Sequence, residues 1–504
     1  MGHQESIPDS SVRSSAGWRV AIAILLIVIG VGLRIRLFTY DQSFWWDEAS
    51  IADNMATHSY GQLLQPLDHQ QAAPVGWLML VKTSTVLFGP GEMALRTVPF
   101  LAALAAIPVF LLLARRLLPP HAALLALGLF VICPPAIGYG GEAKQYSTDA
   151  LAALLATLAT VAAIQSGLAR RQLMVLAITG AVLIWFSHPV VFVMATAGGV
   201  LAAYWHGHRS RSTLWSLAAV AGVWTVSFAL DWALFLHHTA HSDYMQRYWS
   251  FAFAPWPTHP AVLAWYQEFI PGLFSHAGGL KFPVLPMALW VLGVLAIGKR
   301  TPLAAALLAG PALVVLVASS FGKYPFFGRM LVFLMPGVVL AVAAGIWWLR
   351  QKAGRWPGVA VAGLALALVA WHPLKEAGQT IVRPDTKTNA DISPVMRHIQ
   401  ANWREGDVIY AHWGLAFSVK YYQSRTTRLP QGPLILAPRM EKQGDCLEHL
   451  RTHRGLRRVW VVFGSLCDSE SWDCMLAPAA LDCYRAPSGA RAVLCDLSRL
   501  LEQP

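Results

Sequence analysis

The sequence predicts a polytopic α-helical membrane protein of about eleven transmembrane helices, followed by a C-terminal extracytoplasmic α/β domain. Three observations lead there. Of the 504 residues 56% are hydrophobic and only 13% charged, where a soluble protein carries roughly 25% charge, so a soluble multidomain enzyme is excluded. The charge is also unevenly spread: residues 1–372 hold 22 Lys+Arg and 13 Asp+Glu, about 9% of positions, while residues 373–504 hold 17 and 14, about 23%. Finally, the basic residues of the first stretch recur as short clusters between long apolar runs.

Those clusters are Arg115-Arg116, Arg170-Arg171, Arg209 with Arg211, Lys299-Arg300, and Arg350, Lys352 and Arg355. None contains an acid. Short loops rich in Lys and Arg stay on the cytoplasmic side, so the formal net charge of +12 is mostly a topology signal and no nucleic-acid partner is implied. A span needs about 20 apolar residues. After a cytoplasmic tail over 1–16, spans fall near 17–38, 94–114, 120–138, 148–168, 172–187, 189–206, 213–236, 283–298, 302–320, 330–349 and 357–372. Eleven crossings place the N-terminus in the cytoplasm, residues 373–504 outside, and every basic cluster inside, as expected for a multi-pass protein of a bacterial inner membrane. The first span lacks a small-residue cleavage site and reads as an uncleaved anchor.

The apolar stretch Ala73–Gly89 would invert every later loop if it crossed. It therefore reads as a helix in the outer interface, with Trp77 and a snorkelling Lys82 as its anchors. Two large outer loops result, 39–92 and 237–281. The acids of the membrane part gather outside, apart from Glu5, Asp9 and Asp231, which places the chemistry at the outer face. In the C-terminal domain, Asp391–Trp403 has a helix pattern, while Asp407–Trp413, Arg458–Phe463 and Ala490–Leu497 read as strands. Cys446, Cys467, Cys474, Cys483 and Cys495 all lie there, which suggests one or two disulfides of unreadable pairing. Their spacing lacks a CxxC pair, so zinc is not expected. No motif marks a particular cofactor, and a divalent cation is compatible with the pattern; His237, His238 and His241 lack a carboxylate at a ligand spacing.

Three groups can carry chemistry. In Phe44-Trp45-Trp46-Asp47-Glu48, two adjacent carboxylates follow the first span. They read either as a solvated loop with Trp anchors or as a general base and its organising neighbour, since partial desolvation beside a like charge raises proton affinity. Next, Glu142, Tyr146 and Asp149 fall on one face of a helix start with Lys144 beside them, an interfacial cap or a substrate-facing polar stripe. Lastly, Arg96, Lys323 and Arg329 hold positive charge at the outer interface, where they either snorkel to headgroups or bind a lipid phosphate. His188, in a short outer turn, faces the same side as the acids.

In this order, these residues resemble the GT-C superfamily of polytopic glycosyltransferases that use lipid-phosphate-linked sugars. The resemblance is to bacterial relatives of the dolichyl-phosphate-mannose protein mannosyltransferases and to the lipid A aminoarabinose transferase. It rests on Asp47-Glu48, Gln71-Ala-Ala-Pro74-Val-Gly-Trp77, Glu92-Met-Ala-Leu-Arg96, Glu142-Ala-Lys144-Gln145-Tyr146 and Tyr324-Pro-Phe-Phe-Gly-Arg329, and covers about residues 15–350. It implies Asp47 as catalytic base with Glu48 as its neighbour. The aminoarabinose transferases carry Lys-Pro-Pro where this chain has Ala72-Ala73-Pro74, which argues against that donor.

Together these readings predict a membrane glycosyltransferase that moves a sugar, with inversion, from a polyprenyl-phosphate-linked donor to an extracytoplasmic glycan, lipid or protein. Arg96, Lys144, Arg329 and Lys323 would hold the donor phosphate, and Glu142, Tyr146, Asp149 and His188 would contact substrate. The alternative is a transporter or flippase of a lipid-linked sugar. Such proteins show internal repeats with broken paired spans; no repeat is evident here, and the polar residues gather at one face.

Overall fold

In the computed structural model, residues 10–501 are described apart from 41, 241, 383, 385–390, 427, 439–447, 454 and 465–475. All eleven apolar runs are helical. Among the described residues, eight helices are long and apolar enough to cross a membrane, from Gly17–Phe38 to Arg355–Val382. The count is nine if the pair Pro120–Val131 and Pro134–Gly141, bent by 59°, is taken as one span; the break falls where Pro134 and Pro135 lack the N–H groups that would continue the ladder. The chain is thus a multi-pass membrane protein.

Two of the eleven expected spans are helical but shorter than the rest. Arg170–Ile184 and Val284–Gly298 have 15 residues each, about 22 Å at 1.5 Å per residue, short of a hydrocarbon core of about 30 Å. The second packs closely on a neighbouring helix. A Cβ on Gly293 would run into the carbonyl of Ala341, and one on Gly345 into that of Leu289. The short helix is therefore laid backbone to backbone against Met335–Lys352, whose first twelve residues are almost all buried, in the manner of small-residue contacts between membrane helices.

The segment expected in the outer interface is the helix Val75–Phe88, but its anchors are not interfacial. Trp77 is fully buried, and Lys82 Nζ donates to the Met55 carbonyl at 2.6 Å instead of snorkelling. The last helix also runs to Val382, ten residues past the expected end at 372: Lys375 and Glu376 end the apolar run without ending the helix.

The C-terminal region carries a five-stranded mixed sheet in the order β2-β1-β3-β5-β4, formed by β1 (Val408–Ala411), β2 (Leu434–Leu436), β3 (Val459–Phe463), β4 (Ala480–Arg485) and β5 (Arg491–Cys495). β1 runs parallel to β2 and β3, while β5 is antiparallel to β3 and β4. β1, β3 and β5 are buried on both faces, which explains the continuous apolar runs of β1 and β3 and of β5 after Arg491. The expected strand Asp407–Trp413 stops at Ala411; His412 accepts from the Gly414 N–H and starts the helix Trp413–Arg425, which periodicity did not reveal. One sheet face, with Ile409, Trp460 and Val462, shares a single apolar cluster with Phe44, Ile51 and Trp77 of the first outer loop. Cys483 and Cys495 are free thiols; Cys446, Cys467, Cys474 and His241 lie outside the described residues.

Candidate active site

The helix Trp46–Thr57 begins at the two adjacent carboxylates, and successive helical positions point in different directions. Glu48 turns inward and is fully buried. It accepts from Arg96 Nε at 2.9 Å and Nη2 at 2.8 Å, and from the Ala143 N–H at 2.7 Å. Arg96 also donates to the carbonyls of Gln42 and Ser43, which engages four of the five guanidinium N–H groups. Its face lies 5.2 Å from the Phe44 ring. A guanidinium so enclosed organises Glu48 and has little left for a ligand.

Asp47 faces the opposite way and meets two cations. Its Oδ2 lies 2.7 Å from Arg329 Nη2 and 4.0 Å from Lys144 Nζ, and Gln71 reaches the same carboxylate. Gln71 also accepts from Lys144 Nζ at 2.6 Å. Burial alone would raise the Asp47 carboxyl, but Lys144 and Arg329 outweigh it and hold the group below its ordinary value. Burial pushes the Lys144 ammonium down to about 8, against the attraction of Asp47. Arg329 packs its guanidinium over Trp45 at 5.1 Å and Tyr146 at 5.9 Å, a stacked geometry that lysine could not reproduce.

Trp45 and Arg329 also belong to the wall of a cavity of about 600 Å³, within the range of small-molecule sites. Its lining is aromatic: Tyr139, Tyr248, Trp249, Phe251 and Phe327 join Trp45, and Glu142, His276 and His372 supply polar groups. Burial, reinforced by the charge of Glu48, raises the Glu142 carboxyl to about 8, so it is largely protonated at neutral pH. With Glu142 neutral, one carboxylate faces two cations, and the site carries surplus positive charge.

Asp47, Lys144, Arg329, Glu142 and Tyr146 are thus brought together. Other expected residues are placed elsewhere. Lys323 is exposed and not on the cavity wall. Asp149 is buried deeper in the helix Tyr146–Gln165, with Oδ1 lacking a hydrogen-bond partner. His188 lies off the cavity wall in the turn before Val190, where burial lowers its imidazole to about 4 and keeps it neutral. Among the described residues no group of three or more His, Cys, Asp and Glu side chains converges as metal ligands do; the immediate neighbours of Asp47 are cations. Sequence reasoning missed His276, His372 and the aromatic wall from the second outer loop. Its one available signal was the density of aromatic residues in Tyr248-Trp249-Ser250-Phe251.

No protein-family profile and no curated protein matches the chain. Solved structures do. ArnT from Cupriavidus metallidurans bound to undecaprenyl phosphate is 15% identical at a TM-score of 0.55, with 97% of this chain and 99% of that one covered; its apo state gives 16% and 0.54. The oligosaccharyltransferase of Archaeoglobus fulgidus in its apo form is 14% identical at a TM-score of 0.52, with 94% of this chain and 74% of that one covered. Over nearly its whole length, the chain has the GT-C fold of these membrane glycosyltransferases.

Proposed function

We propose that the protein is a membrane glycosyltransferase that transfers a sugar from a polyprenyl-phosphate-linked donor to an extracytoplasmic acceptor, with Asp47 as general base. The observation that carries this reading is the pairing of one carboxylate, Asp47, with two cations, Arg329 and Lys144, at the edge of an aromatic cavity. Surplus positive charge suits a phosphate, aromatic walls suit the C–H faces of a sugar, and a lone carboxylate suits an acceptor hydroxyl or amine.

The chemistry follows from those groups. Before donor binds, Arg329 and Lys144 neutralise Asp47 and make it a weak base. An arriving donor phosphate competes for both cations, and its own negative charge lies near the carboxylate. Both effects raise the proton affinity of Asp47. Asp47 then takes the acceptor proton as the acceptor oxygen or nitrogen attacks the anomeric carbon. The bond from that carbon to the phosphate oxygen breaks on the opposite side, the electron pair leaves with the phosphate, and configuration inverts. Arg329 and Lys144 stabilise the departing phosphate electrostatically, so no general acid is needed. The basic clusters, all placed inside by the charge bias, would set this site facing outward.

Purification from native membranes followed by mass analysis of bound lipid tests the donor class. A polyprenyl-phosphate sugar is the expected species. Its absence, together with no binding of undecaprenyl phosphate by the purified protein, would overturn the reading.

A further inference from the structure

Ser43, Phe44 and Trp45 lie in a segment without regular secondary structure that leads into the helix Trp46–Thr57, which carries Asp47. Two of their backbone N–H groups go to the C-terminal domain. The Phe44 N–H donates to Tyr422 Oη at 2.7 Å, and the Tyr422 hydroxyl donates to Glu92 Oε1 at 2.6 Å. The Ser43 N–H and hydroxyl donate to Asp391 Oδ1 at 2.9 and 3.0 Å, while Ser43 Oγ accepts from the Ile392 N–H at 2.8 Å. Tyr422 is fully buried and Asp391 nearly so, so these bonds are shielded from water and from salt. Burial and the Glu92 carboxylate push the Tyr422 phenol well above its ordinary range, which keeps it the donor to Glu92. Glu92 opens the helix that carries Arg96, and Arg96 holds Glu48.

We infer that Tyr422 is a positioning residue, one that ties the segment before Asp47 to the helix of Arg96 and so sets the Asp47 carboxylate against Arg329 and Lys144. One hydroxyl links the two sides of the catalytic loop, from a position 378 residues beyond Phe44. The C-terminal domain is then part of the site wall, and its docking is required for a competent base. This inference rests on the glycosyl-transfer reading above.

The test uses the full chain with Tyr422→Phe, which keeps the ring and removes the hydroxyl, beside Arg425→Ala, which cuts the part-exposed ion pair with Asp53 at the same interface and leaves the segment untouched. Hydrogen exchange of the 42–49 segment should quicken about tenfold or more in Tyr422→Phe, which removes both buried hydrogen bonds of the hydroxyl, and stay unchanged in Arg425→Ala. In native membranes supplied with a radiolabelled polyprenyl-phosphate sugar, Tyr422→Phe should lower kcat about tenfold with donor KM within about twofold, the pattern of an interaction that matters in the transition state. Unchanged exchange in Tyr422→Phe, equal quickening in both variants, or faster exchange with unaltered kcat would each overturn the inference. If the wild type transfers no sugar, the glycosyl-transfer reading fails and the positioning role falls with it, while the exchange result still reports whether the tie exists.

Discussion

Arg96 and Glu48 form a buried, two-pronged ion pair, with Nε and Nη2 each within 2.9 Å of a carboxylate oxygen. Next to it in sequence, Asp47 looks into the cavity edge. Two adjacent acids thereby divide their partners, Glu48 held by Arg96 inside the loop and Asp47 set against Arg329 and Lys144; on the proposed function, the second is the one that meets substrate.

That division has a stability signature. Removing one partner of a buried pair leaves an uncompensated charge and costs about 3–5 kcal/mol. Glu48→Gln and Arg96→Met are each expected to lower the thermal midpoint sharply, and the double variant by less than the sum. Asp47→Asn keeps the side-chain shape and leaves the Glu48–Arg96 pair intact, so it should lower the midpoint by less than either. Thermal melts of the four proteins in one detergent check this.

Phosphate binding should weaken in alkali. Lys144 attracts an anion only when protonated, and burial sets its ammonium at about 8 in the free protein. Glu142, at about 8 for the same reason, gains negative charge over the same range. Both changes act against an anion, so affinity for undecaprenyl phosphate is expected to be full below pH 7 and to fall steeply from pH 8 to pH 9. Lys144→Arg should flatten that dependence; Lys144→Ala should lower affinity about 10-fold or more at pH 7, the worth of a charge-assisted hydrogen bond. A titration of binding against pH with the three proteins decides.

Asp407 should set the acid limit of the C-terminal domain. Its fully buried carboxylate accepts from Arg458 at 2.6 and 3.1 Å and from Trp460 Nε1 at 2.9 Å, and these bonds overcome burial and hold the group below its ordinary value. A lowered carboxyl contributes stability that is complete above the usual aspartate range, near 3.9, and lost as pH falls below it. Asp407→Asn is expected to cost about 2–3 kcal/mol at pH 7 and to erase that part of the acid dependence, as read by acid unfolding of the full protein.

The contact of Gly293 with Ala341, and of Gly345 with Leu289, predicts that Gly293→Leu will separate the helices Val284–Gly298 and Met335–Lys352. Overpacking costs typically about 1–3 kcal/mol and more where backbone is struck, so the yield of monodisperse protein should drop. Gly199→Leu, at a helix position with open space around the added carbon, is the control and should purify normally.

Much of the fold was legible from local pattern. Each of the eleven apolar runs is helical, one of them as a broken pair, because in lipid a backbone must satisfy its own hydrogen bonds. The site was legible in composition: Asp47, Lys144 and Arg329 stood out as charges on an apolar background, and they meet. What stayed hidden depends on contacts between distant residues. Ser43 meets Asp391 across 348 positions, and nothing local marks either as half of a docking surface. Arg96 stood out as a cation at the outer face and was read as a phosphate ligand, yet its partner Glu48 lies 48 positions away. The close packing of Val284–Gly298 could not be judged without the glycine of a second helix.

The most direct measurement of the central claim is sugar transfer by Asp47→Asn in membranes supplied with a radiolabelled polyprenyl-phosphate sugar. General base catalysis contributes about 10²–10⁴-fold, so the account predicts product formation reduced by at least about 100-fold, with undecaprenyl phosphate still bound. Product formation at the wild-type rate would contradict it.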